Sequence, residues 1–147
     1  GKERGSCWSE GWPLFLSEIR LPDGLMKFCT ALNEASEQDR CFNALFFVLT
    51  AQFNLARERI QPFCGSLPQQ RKEQCFANAA ARFIETDARL IDQALALCNA
   101  AEEAGAGDAC YKELIVYSTY NFHRGSEEYF RLCRSLPSPW SEQCIRR

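Results

Sequence analysis

The chain has 147 residues, 46% of them hydrophobic, a formal net charge of -2, and nine cysteines against one histidine and one methionine. That is enough apolar material for one core and too little chain to need two, so a single domain over 1–147 is expected. Basic and acidic residues are interspersed, which disfavours nucleic acid and an electrostatic membrane anchor, and the longest apolar run, Ala44 to Leu49, is far short of the roughly 20 residues of a membrane-spanning helix.

Residues 1–6 are polar and carry no signal-peptide stretch, so any export signal is expected to have been removed already. From Cys7 to Cys29 the pattern is irregular, because Pro13, Pro22 and Gly24 interrupt it, and 20–25 reads as a turn between two short helices. From Cys41 to Cys64, Phe42, Phe46, Leu49, Phe53, Ala56, Ile60 and Phe63 step by four and three, which lays one apolar stripe along a helix. Gly65 and Pro68 stop that helix and restart the next.

From Cys75 the stripe resumes in the same phase as Phe76, Ala80, Phe83, Asp87, Leu90, Ala94 and Leu97. Asp87 is its polar exception, expected to fix register or to be reached by Arg57. Gly105 and Gly107 break the chain again, with Asp108 placed to cap the helix that follows. Tyr111, Ile115, Ser118, Phe122, Gly125, Tyr129 and Leu132 repeat the stripe up to Cys133, and Pro137, Trp140 and Cys144 close the chain.

The cysteines are a repeat. Cys29, Cys41, Cys64 and Cys75 recur 69 residues later as Cys98, Cys110, Cys133 and Cys144, and 66–68 (SLP) and 73–75 (EQC) recur at 135–137 and 142–144. The expectation is a tandem duplication of a two-helix unit of 69 residues, with units near 7–75 and 76–144. Uninterrupted stripes favour long helices in a disulfide-stapled antiparallel bundle. The alternative breaks each long segment near its middle and stacks the pieces as an αα-repeat solenoid. A half-period of 34 or 35 residues is tetratricopeptide-like, with only scattered support at Tyr117, Phe130 and Pro137.

Spacing also limits the cysteine chemistry. No CxxC, CxxCH or HxxxH pattern occurs, so zinc, iron–sulfur and haem sites are disfavoured, no cofactor is expected, and disulfides in an oxidising compartment are the default. Short turn-bearing linkers place the end of one helix beside the start of the next, which pairs Cys29 with Cys41, Cys64 with Cys75, Cys98 with Cys110 and Cys133 with Cys144. Cys7 is left as an unpaired or intermolecular thiol. The absence of an Asn-x-Ser/Thr sequon leans toward a periplasmic or otherwise exported bacterial protein.

Catalytic constellations are not visible. His123 stands alone within a stripe segment, and Glu102, Glu103, Glu127 and Glu128 read as solvated helix faces rather than paired acid–base carboxylates. Phe47, Val48, Val116, Tyr117 and Tyr120 are apolar yet lie off the stripe, so either other helices cover them or a protein partner does. Trp8, Trp12 and Trp140 are candidates for the same surface. The leading expectation is a non-catalytic exported structural or adaptor protein that binds a protein partner or sits in a larger extracytoplasmic assembly. The alternative is a small-molecule or lipid carrier with a closed apolar cavity between helices.

Overall fold

The computed structural model describes residues 8–123 and 125–146, and among these the chain is helical with no strand. A 3-10 turn, Trp12–Phe15, and one helical turn, Leu16–Ile19, lead into eight helices: α1 (Pro22–Thr30), α2 (Ala35–Gln52), α3 (Arg57–Gly65), α4 (Gln69–Thr86), α5 (Ile91–Glu103), α6 (Gly107–Asn121), α7 (Glu127–Ser135) and α8 (Trp140–Arg146). Pro22 is the first residue of α1, where its missing N–H costs nothing. The expected turn is therefore shorter than 20–25, since α1 has begun by residue 22. Gly24 belongs to that first turn, and a Cβ there would collide with the Glu18 carbonyl, so α1 can lie close on the preceding turn only because the residue is glycine.

Four disulfides join consecutive helices: Cys29–Cys41 (α1 to α2), Cys64–Cys75 (α3 to α4), Cys98–Cys110 (α5 to α6) and Cys133–Cys144 (α7 to α8). These are the pairs the linker spacing pointed to. Each bridge spans 11 or 12 residues and closes one hairpin. Four such bridges indicate an oxidising, extracellular-type compartment.

The long helices expected from the unbroken stripes are not formed. Each breaks twelve residues after its first cysteine, at Phe53, Asp87 and Phe122. At the first break Asn54 and Leu55 both take the left-handed conformation. At the second, Asp87 is extended and accepts a hydrogen bond from the Arg89 backbone at 2.9 Å, starting the 3-10 turn Ala88–Leu90. At the third, Phe122 is extended, Gly125 is left-handed, and the Ser126 hydroxyl caps α7 by accepting from the Tyr129 N–H at 3.2 Å. Asp87 is thus a helix-end residue rather than a register device, and its partner is Arg89 rather than Arg57. Asp108 likewise lies within the first turn of α6, whose cap position is Ala106.

The hairpins stack. Arg71–Asp39, Asn78–Asn43 and Arg82–Phe47 contacts occur in the same order along α4 and α2, so these helices run parallel. α6 lies on the other side of α4, with Cys110 against the Phe76 carbonyl, and α8 packs on α6. α3 and α5 form a second layer. α4 takes the middle because Ala77, Ala79, Ala80 and Ala81 let neighbours approach on several sides, and all four are buried. Buried residues form one cluster from Ile19 to Cys144, and its polar members Thr50 and Ser118 each donate to the carbonyl four residues back, Phe46 and Leu114.

Candidate interaction surface

One rule of packing runs through the stack. The residue after the cysteine of α2, α4 and α6, Phe42, Phe76 or Tyr111, is buried. For Phe42 and Tyr111 the residue four before the next helix's cysteine covers the ring. Arg71 places its guanidinium 4.2 Å from the Phe42 ring centre, and Trp140 stacks on Tyr111 with centroids 6.3 Å apart. The cover position of α2 is Glu37, and at this end the indole N–H of Trp8 donates to it at 3.4 Å while Trp12 and Leu16 pack on the core. In α8 the residue that follows the cysteine is Ile145, and it is 52% exposed.

A second row obeys the same register. Phe47 is half-buried beneath Arg82, whose guanidinium lies 4.6 Å from the ring, and its counterpart on α4, Ala81, is buried. The counterpart on α6 is Val116. Cys144 holds the register of Cys110, so Arg146, the last described residue of α8, corresponds to Lys112. Val116 is half-buried, and one turn on Tyr120 is 82% exposed. On α7, Phe130 occupies the register of Leu95 and is 37% exposed. Spacing marked Phe130 only as a half-period position and did not single out Ile145, although the recurrence of Phe42, Phe76, Tyr111 and Ile145 one residue after the cysteines was its signal.

The sequence-selected residues therefore do not form one patch. Tyr117 packs on the core next to α4, and burial pushes its phenol pKa up, with the charges of Glu113 and Glu85 adding to the rise. Val48 is half-buried on α2. Trp140 is 8% exposed and belongs to the core, with the Lys112 ammonium 5.7 Å from its ring centre. Trp8 and Trp12 are half-buried in the opposite end of the stack. Of the sequence-selected residues Tyr120 alone is exposed, and Val116, one turn before it, is half-buried. Cys7 lies outside the described residues. Comparison with protein-family models, with curated proteins and with solved structures returns no match.

Two grooves open to solvent complete the surface. The first, of about 390 Å³, separates α5 from α7 over a floor of Ile91, Leu95, Phe122 and Leu132, and the Arg131–Asp92 ion pair bridges it at 3.0 Å. α3 and α5 pack against each other, whereas α7 lines this gap with Arg131 and Ser135, at the registers that Ala96 and Ala100 hold on α5. The second, of about 490 Å³, crosses α2, α4 and α6 and is polar, with Asn78 donating to Asn43 at 2.9 Å. Burial there pushes the Glu113 carboxyl pKa up.

His123 is exposed in the break before α7 rather than inside a helix. Glu102, Glu103, Glu127 and Glu128 are exposed, Glu127 pairing with Arg134 at 3.3 Å. Among the described residues no group of three His, Cys, Asp or Glu side chains is placed to hold a metal ion, and no helix is long and apolar enough to cross a membrane.

Proposed function

We propose that this chain is a non-catalytic interaction module of the periplasm or cell exterior, built by tandem duplication of a 69-residue unit and acting as an adaptor or as a subunit of a larger assembly. The observation that carries this reading is apolar surface left exposed at both ends of the stack. Leu14, Phe15 and Leu21 stand exposed at one end and Tyr120, Phe130 and Ile145 at the other. Uncovered apolar surface at a stack end is costly to leave in water and marks a contact site. Purification from the native source, with identification of what travels with the chain, tests it. A protein companion lost on Tyr120→Glu supports the proposal; association indifferent to that change sinks it.

The α5–α7 groove favours a second reading, that of a carrier for a small apolar molecule, since its floor is apolar and its volume of about 390 Å³ lies in the range of ligand sites. Titration with an environment-sensitive apolar dye separates the two. Saturable binding abolished by Leu95→Arg selects the carrier, and no binding removes it.

A further inference from the structure

We infer that the polar groove across α2, α4 and α6 binds a basic segment of a partner protein in extended conformation, holding its main chain with side-chain amides and its lysine or arginine with Glu113. This groove is distinct from the exposed ends of the stack and from the apolar gap between α5 and α7. It has room for such a segment. α4 lies between α2 and α6, and the groove of about 490 Å³ runs over Ala77 and Ala109, whose side chains end at Cβ. Axes of packed helices stand about 8–10 Å apart, so three helices offer about 18 Å, the reach of five or six extended residues at about 3.3 Å each.

The lining keeps hydrogen-bonding groups in reserve. Asn78 donates to the side-chain oxygen of Asn43 and to the main-chain carbonyl of Gln74, both at 2.9 Å, and the side-chain oxygen of Gln74 accepts from Arg71 at 2.7 Å. Among the described residues these bonds leave the amide N–H groups of Asn43 and Gln74 without an acceptor and the amide oxygen of Asn78 without a donor. A side-chain amide carries the same donor and acceptor as a peptide group. Donors on α2 and α4 beside an acceptor on α4 therefore suit the alternating N–H and C=O groups of an extended chain.

Charge gives the occupant its sign. Two carboxylates, Glu73 and Glu113, line the groove against one ammonium, that of Lys112, which lies 5.7 Å from the Trp140 ring centre. Glu73 accepts from the Gln69 amide at 3.3 Å. Glu113 is half-buried with no ion-pair partner among the described residues, and burial alone pushes its carboxyl pKa up. A half-buried carboxylate that no cation meets lowers the stability of the chain on its own, and a cation on an incoming segment removes that penalty by pairing with it.

The test uses the full chain and an array of synthetic hexapeptides, each with lysine, arginine, alanine or glutamate at one fixed position and mixed residues elsewhere. Lysine and arginine peptides are expected to retain about tenfold more chain than alanine peptides, and glutamate peptides less than alanine. Glu113→Gln removes that preference, and since the change relieves a buried charge, unfolding cannot account for the loss. Asn43→Leu, at an exposed position, weakens every peptide alike, whereas Glu58→Gln on α3, outside the groove, changes nothing. The strongest peptide is then remade with N-methylated main-chain amides, and separately challenged with hexamethylenediamine at equal concentration. Loss of binding on methylation and no displacement by the diamine are expected. Absence of any retained peptide, a basic preference that survives Glu113→Gln, or equal binding of the methylated peptide overturns the inference. Displacement by the diamine also overturns it, because the occupant is then a small amine. None of these failures touches the interaction reading, whose test residue Tyr120 lies outside the groove.

Discussion

Arg71 on α4 covers the ring of Phe42 on α2 at 4.2 Å while holding Asp39 of the same helix at 2.6 Å, so one side chain closes both an apolar and a charged contact between neighbouring hairpins. Its planar guanidinium can do both; an ammonium has one point charge and no face to stack. Arg71→Ala is expected to cost about 1–2 kcal/mol in urea unfolding, and Arg71→Lys to recover only part of that. Full recovery by lysine would mean that charge alone matters at this position.

The disulfide map is checked by peptide mapping without reduction, which should return the four bridges within hairpins. Replacing Cys98 and Cys110 together by serine removes one short loop and should cost about 3 kcal/mol. A Cys41–Cys98 peptide would refute the scheme.

Trp140 and Tyr120 were alike as sequence candidates and should now behave in opposite ways. Trp140→Ala empties a buried site stacked on Tyr111 and is expected to cost about 3–5 kcal/mol. Tyr120→Glu should change the stability of the chain by no more than about 0.5 kcal/mol. Tyr117→Glu falls between them, about 1–3 kcal/mol, because it sets a carboxylate near Glu113 and Glu85. Thermal melts of the three variants decide the order.

Glu113 gives a pH signature. Burial raises its folded-state pKa, so between the ordinary glutamate value and the raised one the folded chain keeps a proton that the unfolded chain has released. Stability therefore falls as pH rises through that window and stays lowered above it. Glu113→Gln should melt higher than the parent at neutral pH, and the difference should vanish below about pH 4. A difference that persists in acid would assign the effect to packing.

The hairpin ladder was legible because cysteine spacing is discrete: four pairs at fixed offsets admit few foldings. The breaks were not, although their signals stood in plain view as Asp87, Asn54 and the Gly125–Ser126 pair ahead of Glu127 and Glu128. Stripe counting let those residues pass because Phe53 and Phe122 occupy the break positions and are apolar, and a periodicity measure weighs hydrophobicity while ignoring backbone preference. The exposure of Ile145 was hidden for another reason. Ile145 fits the same rule as Phe42, Phe76 and Tyr111, and its exposure follows from what lies beside α8 rather than from its own identity.

Among the described residues each bridge lies within a hairpin and none joins two hairpins, which gives the chain an unusual response to tension. Pulled from its ends, the stack can peel one hairpin at a time, since only side-chain contacts hold the hairpins together. Yet the chain never reaches full extension: each staple substitutes a Cα separation of 5.3–5.6 Å for a loop that would stretch to about 40 Å. The molecule is in effect a string of four locked links that lengthens in steps and stops short.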